Sequence, residues 1–167
     1  MKFELLKILT VDDNHHMRLL LTEILRAIGV REVHEAANGA EALQVLRNNP
    51  IDIVMTDLAM QPLDGIDLVR RLRNAKESPN PMVPVIMITG HSTMRRVGEA
   101  RDVGVTEFLS KPVTARGVIE RIGRVVDHPR AFVRTESYFG PDRRRRDDQA
   151  YNGPYRRKTD KQTTDVD

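Results

Sequence analysis

The chain reads IDIVMTD at residues 51–57, a short apolar run that ends in an aspartate. Runs of this kind, bounded by turn residues, are typical of strands buried inside a parallel sheet. The sequence contains five such runs and so predicts five strands: Leu5–Val11, Glu32–Ala36, Ile51–Thr56, Val83–Thr89 and Glu107–Ser110.

Between these runs the apolar residues recur every three or four positions, which indicates helices. The predicted helices are Asn14–Ile28, Ala40–Arg47, Ile66–Asn74, Thr93–Val103 and Thr114–Val126. Strands and helices therefore alternate five times, which predicts an α/β fold. Because crossovers between parallel strands are right-handed, we expect a doubly wound, five-stranded parallel sheet with helices on both faces.

Charged residues follow three of the predicted strands: Asp12 and Asp13 follow the first, Asp57 the third and Lys111 the fifth. Open parallel sheets bind ligands at the carboxyl ends of their strands, so these side chains can meet in one pocket. Three carboxylates there repel one another unless a cation joins them. A hard divalent ion such as Mg²⁺ prefers such oxygen ligands. Lys111 would then suit an incoming anion such as phosphate.

A simpler interpretation exists for each residue. Asp12 and Asp13 could only cap the first helix, and Thr89 could be only a hydroxyl at a strand end. We favour the shared pocket because Asp57 and Lys111 stand at the matching ends of their own strands.

The order and spacing of these residues resemble the response-regulator receiver domain, the CheY-like module of two-component signalling. The resemblance covers roughly residues 5–126. It rests on Asp12-Asp13, Asp57, Asp64-Gly65, Thr89-Gly90 and Phe108-Leu109-Ser110-Lys111-Pro112. It implies a (βα)5, flavodoxin-like fold and a histidine kinase or phosphotransfer protein as partner.

The resemblance also implies roles for single residues. Asp57 would accept a phosphoryl group, and Asp12, Asp13 and the Ala59 carbonyl would hold Mg²⁺ with it. Lys111, Thr89 and Phe108 would sense the phosphoryl group as a switch. The Lys111-Pro112 peptide would be cis. One departure is Met60-Gln61-Pro62, where many receivers have Met-Pro, so we expect a slightly altered loop there.

Composition sets limits on the other functions. The chain has 167 residues, enough for one domain and an appendage. It contains no cysteine, which excludes disulfides and thiolate sites. It has no run of about 18 apolar residues and its N-terminus is unlike a signal peptide, so we expect a cytoplasmic protein without membrane insertion.

Charge divides the chain into two regions. Residues 1–127 carry 17 Lys and Arg against 17 Asp and Glu, whereas residues 128–167 carry 10 against 7. Five of the seven Phe and Tyr residues also lie in the second region. We therefore predict a receiver domain over residues 1–127 and a basic, flexible tail over residues 128–167 that is disordered unless a ligand binds.

The tail contains a short repeat. FGPDRR at residues 139–144 recurs as NGPYRR at residues 152–157. Arginine forks match phosphate oxygens and the edge of guanine, and they stack on rings. The candidate ligand-binding residues are Tyr138, Phe139, Arg143, Arg144, Arg145, Arg146, Tyr155, Arg156 and Arg157.

This tail resembles, over roughly residues 130–161, the arginine-rich extension of the CheY-like cyclic di-GMP effectors, the Cle group. The resemblance implies cyclic di-GMP as a ligand and the flagellar motor switch protein as a partner, hence a role in chemotaxis and motility. Two alternatives stay open. The protein could be a phosphorelay shuttle or phosphate sink with a tethering tail, or the tail could bind polyanions nonspecifically. Interspersed aspartates such as Asp142 and Asp147 disfavour nucleic acid, and we expect no enzyme acting on external substrates.

Overall fold

The computed structural model describes residues 2–74 and 76–144 and the backbone of residues 164–165; the side chains of residues 92–94 are not described. Five strands form one parallel sheet in the order β2-β1-β3-β4-β5. Their bounds are β1 Lys7–Val11, β2 Glu32–Ala36, β3 Ile53–Asp57, β4 Val85–Thr89 and β5 Glu107–Ser110. The predicted five-stranded parallel sheet is confirmed.

Five α-helices connect and flank the strands: α1 His15–Ala27, α2 Gly39–Asn48, α3 Gly65–Arg73, α4 Val97–Val103 and α5 Ala115–Asp127. Side-chain caps set where four of them begin. Asn14 accepts hydrogen bonds from two amides of the first turn of α1, Asn38 from one in α2, Asp64 from one in α3, and Thr114 from one in α5. Such caps satisfy backbone amides that have no partner within the helix.

The apolar core lies in two layers, one on each side of the sheet. Successive strand residues point to opposite faces, so Val54 packs in one layer while Ile53 packs in the other. Helices α2, α3 and α4 contribute to the first layer, and α1 and α5 to the second. This is the doubly wound sandwich expected from the sequence. No helix in the described part of the chain is long and apolar enough to cross a membrane.

Several element boundaries differ from the sequence-based prediction, most of them by one or two residues. Residues 3–5 form a 3-10 helix, so the first strand begins at Lys7. The fourth helix was predicted over Thr93–Val103, but a 3-10 helix over His91–Arg96 precedes a short α4. Arg96, which stands at the N-cap of α4, makes no side-chain capping bond, and Gly98 weakens the first turn. The tighter 3-10 geometry is common at such weak helix starts.

The start of the tail also differs from the expectation of disorder. Phe132–Arg134 (β6) pairs antiparallel with Phe139–Pro141 (β7), and the other edge of β6 pairs with Thr164–Asp165 (β8). We refer to residues 132–141 as the hairpin. Its Val133 and Tyr138 are buried. The physical reason is that the apolar residues of the tail are concentrated in this stretch, where they pack on the domain.

The hairpin lies against the C-terminal ends of α3 and α4. A Cβ added at Gly140 would come within 3.0 Å of the Gly104 Cα, so the two backbones approach closely. Gly104 adopts a left-handed conformation (φ 107°) that ends α4, as glycine does most readily. Arg130, just before the hairpin, lies 3.2 Å from the carboxylate of Glu107 at the start of β5. The hairpin therefore sits at the amino end of the strands.

Arg73 is the buried anchor of this contact. Its guanidinium donates hydrogen bonds to the carbonyls of Gly104, Val83 and Pro81 at 2.7–3.0 Å. The ring of Phe132 lies 4.9 Å from its central carbon. Burial lowers the pKa of Arg73 to about 10, so the side chain is still charged at neutral pH. One buried cation thus joins the loops that follow α3 and α4 to the hairpin.

Candidate functional site

Three carboxylates meet at the carboxyl edge of the sheet. Asp12 follows β1 directly, Asp13 comes next, and Asp57 is the last residue of β3. One oxygen from each lies within 4.8 Å of the others. The structure therefore brings together the acidic residues that the sequence placed at separate strand ends.

Asp12 has the electrostatics expected of a cation ligand. Its Oδ1 accepts a hydrogen bond from the Asn14 amide at 2.9 Å, while its buried Oδ2 has no hydrogen-bond partner among the described residues. Burial, with a smaller contribution from nearby Asp57, raises the pKa of Asp12 to about 6. Capping does not account for this residue, because Asn14 caps α1. A buried carboxylate with an unsatisfied oxygen is stabilised when a cation binds.

Asp57 faces the lysine predicted to join it. Its side chain is 8% exposed, and its Oδ1 lies 3.2 Å from Lys111 Nζ. The same oxygen accepts a hydrogen bond from the Leu58 amide at 3.0 Å. Burial raises the pKa of Asp57, and the positive charge of Lys111 opposes that rise. Lys111 follows β5, donates its amide to the Thr89 carbonyl at 2.8 Å, and precedes a cis peptide bond to Pro112, as the resemblance implied.

The loop after β3 closes one side of the cluster. Asp13 Oδ2 accepts a hydrogen bond from the Gln61 amide at 3.3 Å. Ala59 lies exposed in this loop, two residues after Asp57, which is where a backbone ligand was predicted. The peptide bond between Gln61 and Pro62 is cis. The altered Met60-Gln61-Pro62 loop therefore still contacts the acidic residues.

The two predicted switch residues lie on the neighbouring strands. Thr89 is the buried last residue of β4, and it pairs in register with Ser110 of β5. Phe108 is half-buried and packs against the apolar layer that contains Met87. Its carbonyl accepts a hydrogen bond from the Arg121 guanidinium. Both residues lie on the neighbouring strands β4 and β5 at one side of the sheet.

Sequence reasoning missed two arginines around this pocket. Arg18 donates a hydrogen bond to the Asp12 carbonyl at 2.6 Å. Arg96, before α4, lies 2.7 Å from the carboxylate of Asp64, the residue that caps α3. The sequence showed Asp64 in the Asp64-Gly65 motif but carried no signal for its partner. A single arginine on a helix is most often a solvated side chain.

The described residues fit a divalent cation. Asp12, Asp13 and Asp57 would hold it, and the unpartnered Asp12 oxygen is the observation that favours one. A bound cation would neutralise the carboxylates and the oxygens of a phosphoryl group. Lys111 supplies a second positive charge, 3.2 Å from Asp57 Oδ1.

The pKa of Asp12 predicts how the metal-free protein responds to pH. It is about 6 in the folded state against 3.8 for the ordinary group, so the folded chain holds this proton more tightly than the unfolded chain. The contribution of Asp12 to the free energy of unfolding is therefore fully present below about pH 4 and is lost as the pH rises through 6. We expect a loss of about 1–3 kcal/mol, recovered on adding Mg²⁺. Urea unfolding at pH 4.5 and 7.5 measures it.

Asp12→Asn is the matched variant for this prediction. It removes the titrating group and keeps the shape, so its metal-free stability should change less between the two pH values than that of the natural chain. It should also gain less from Mg²⁺. An unchanged pH dependence in Asp12→Asn would contradict the assignment of the buried charge to this residue.

Separate from the pocket, the described part of the tail shows three guanidinium groups over aromatic rings. Besides Arg73 on Phe132, Arg134 lies 4.4 Å from the Phe139 ring centre and Arg143 lies 4.6 Å from that of Tyr138. Arg134 was not among the predicted ligand-binding residues. Five that were predicted lie outside the described residues, as does the second copy of the repeat: Arg145, Arg146, Tyr155, Arg156 and Arg157.

A doubly wound sheet with an acidic cluster and a lysine at its carboxyl edge defines a receiver-type signalling module. Residues 8–123 match the family model described as the response regulator receiver domain. The chain belongs to this family. Receiver domains bind Mg²⁺ at an acidic cluster and interact with histidine kinases or phosphotransfer proteins.

Two chemotaxis proteins are among its relatives. CheY-3 of Vibrio cholerae is 34% identical over 122 residues, which cover 73% of this chain and 92% of that protein. CheY of Pseudomonas aeruginosa is also 34% identical over 122 residues, covering 73% and 97%. Among solved structures, the chemotaxis response regulator CheY4 of Vibrio cholerae aligns with a TM-score of 0.65 at 28% identity, covering 72% of this chain and 98% of that one. The family model ends at residue 123, before the tail.

Proposed function

We propose that this protein is a response regulator with two inputs. Its receiver accepts a phosphoryl group on Asp57, and its arginine-rich tail binds cyclic di-GMP to control docking to a partner such as the flagellar motor switch protein. The observation that carries the first part is the cluster of three carboxylates, with Lys111 Nζ 3.2 Å from Asp57 Oδ1.

The chemistry of the first input is phosphoryl transfer. The Asp57 carboxylate attacks the phosphorus of a phosphohistidine in line, the phosphorus–nitrogen bond breaks, and the imidazole leaves with the electron pair and takes up a proton. The product is an acyl phosphate on Asp57. Such a transfer needs positioning and charge neutralisation more than covalent help from the protein. Lys111 and a divalent cation held by the carboxylates supply the positive charge.

The acyl phosphate acts as a local charge that biases a two-state element. Thr89 donates its hydroxyl to the phosphoryl oxygens, which draws the loop after β4 inward. Phe108 then turns into the space that this loop leaves. The surface formed by α4, β5 and α5 changes as a result, and it presents the signal to a partner.

Phosphoryl uptake from a small donor tests this assignment on the intact chain. Incubation with acetyl phosphate and Mg²⁺ should add one phosphoryl group, measured by intact mass, and the group should be lost on standing, as acyl phosphates are. Replacing Mg²⁺ by a chelator should prevent the addition. Uptake that is independent of the metal, or stable to mild base, would contradict an acyl phosphate at this site.

The second input rests on the composition of the tail and on its first repeat. In the first copy of the repeat, the Arg143 guanidinium lies over the Tyr138 ring, 4.6 Å from the ring centre. A stack of this type also accepts a planar base, while the arginine fork binds phosphate oxygens. A guanine-bearing phosphodiester offers both a planar base and phosphate oxygens. The named relatives are chemotaxis proteins, which favours a partner in motility.

We expect isothermal titration to show micromolar or tighter binding of cyclic di-GMP to the full chain. Replacing both Arg143 and Arg144 by alanine should weaken it at least tenfold, because a hydrogen bond to a charged group contributes about 1.5–3 kcal/mol. The matched control is the pair Arg26→Ala and Arg31→Ala, which removes two exposed arginines elsewhere. It should leave affinity unchanged.

The same titration separates the alternatives. A tethering tail predicts no heat with cyclic di-GMP and dispensable arginines. A polyanion arm predicts binding to any nucleic acid, with steep salt dependence and no preference for guanine.

A further inference from the structure

Arg143 already forms an ion pair within the molecule. Its Nη1 lies 2.8 Å from Asp102 Oδ1, and its guanidinium carbon lies over the Tyr138 ring, 4.6 Å from the ring centre. The arginine side chain is 25% exposed and the aspartate 67%. A residue predicted to bind an anionic ligand therefore already pairs with a carboxylate of the same chain.

That carboxylate belongs to the receiver domain. Asp102 is in the last turn of α4, which ends at Gly104. A negative charge is unfavourable at the C-terminal end of a helix, where the backbone carbonyls already make the potential negative. The guanidinium of Arg143 offsets this charge, so the ion pair stabilises the end of α4 as well as the position of the tail.

The next arginine is paired differently. Arg144 Nε lies 3.2 Å from Asp142 Oδ1, a partner two residues away in the tail itself. The contact between Arg144 and Asp142 can persist if the tail moves relative to α4. The contact between Arg143 and Asp102 cannot persist, because Arg143 lies in the tail and Asp102 lies in α4.

We propose that Asp102 is an intramolecular competitor of the ligand for Arg143. A phosphodiester oxygen and the Asp102 carboxylate require the same guanidinium, so binding of cyclic di-GMP breaks the ion pair and releases the C-terminal end of α4. This inference rests on the proposed function of the tail. It adds a route by which the ligand acts on the receiver, since α4 is part of the surface that changes on phosphorylation.

The competition predicts a gain of affinity on removing the competitor. Asp102→Asn should bind cyclic di-GMP about two- to fivefold more tightly than the natural chain, the range expected from the loss of an exposed ion pair. The control is Glu23→Gln, which makes the same change of charge on the exposed side of α1. It should alter the affinity by less than the Asp102 variant.

A second measurement reads the release of α4 directly. The amides of Gly104 and Val105 bond to the Arg101 and Ala100 carbonyls at the end of this helix. In the natural chain, saturating cyclic di-GMP should speed hydrogen exchange at these amides. In Asp102→Asn, exchange there should change little on binding, because this variant has no ion pair for the ligand to break.

The outcomes are distinguishable. Equal affinity in Asp102→Asn and the natural chain, or an equal gain in Glu23→Gln, would overturn the competition while leaving the tail as the ligand site. Slower exchange at Gly104 on binding would overturn it too, because the ligand would then reinforce the contact. Absence of binding in all three proteins would overturn the proposed function of the tail itself.

Discussion

Replacing Asp57 by asparagine should abolish phosphoryl uptake. The variant keeps the shape of the side chain, and the amide oxygen can still accept the hydrogen bond that the Leu58 amide donates to Asp57 Oδ1. An amide oxygen is too weak a nucleophile to attack phosphorus, however, and it also removes one of the three charges that would hold a cation. Uptake from acetyl phosphate should fall below detection by intact mass.

The fold should survive this substitution. Burial raises the pKa of Asp57, which means that the ionised carboxylate is destabilising in the metal-free protein at neutral pH. Neutral asparagine removes that cost, so the melting temperature without Mg²⁺ should rise or stay the same. We therefore expect the variant to lose phosphoryl uptake while it remains folded.

The controls locate the effect. Asp127→Asn removes an exposed carboxylate at the end of α5 and should leave uptake unchanged. Asp13→Asn, which changes a predicted metal ligand, should slow uptake and raise the Mg²⁺ concentration needed without abolishing it. If Asp57→Asn took up the phosphoryl group as fast as the natural chain, the group would go to another residue. The assignment of Asp57 as the phosphoryl acceptor would then be wrong.

The geometry of this pocket followed from the sequence because it depends on few physical rules. Parallel strands end at one edge, so Asp12, Asp57 and Lys111 meet once the strands are assigned. The apolar period identified those strands to within two residues. What the sequence did not show was how the side chains divide their hydrogen bonds, such as the unpartnered oxygen of Asp12, because that depends on atomic packing.

The region around the hairpin was not predictable in the same way. Arg73 is the last residue of α3, a helix rich in charged residues. Nothing in the local sequence distinguishes it from Arg71, which is exposed. Its burial depends on carbonyls from two distant loops and on Phe132. A tail with few apolar residues likewise predicts disorder, whereas the hairpin is held by contacts with Gly104 that have no sequence pattern of their own.

Arg73→Ala should be the most destabilising single substitution in this region. The guanidinium satisfies the carbonyls of Pro81, Val83 and Gly104, and a buried carbonyl left without a partner costs about 1–3 kcal/mol. Its removal also leaves a cavity beneath Phe132. We expect the free energy of unfolding in urea to fall by about 3–5 kcal/mol. Arg71→Ala, the exposed neighbour in the same helix, should change it by less than about 0.5 kcal/mol.

Shortening the chain separates the two roles of this arginine. If Arg73 mainly satisfies the loops after α3 and α4, Arg73→Ala should cost as much in a chain that ends at Asp127 as in the full chain. If it mainly holds the hairpin, the cost should shrink in the shortened chain, because Phe132 is then absent. The difference between the two costs is the coupling energy between Arg73 and the tail. We expect it to be about 0.5–2 kcal/mol, within the range of a partly desolvated contact between a cation and a ring. A zero coupling would mean that the hairpin rests on the domain without depending on its buried cation.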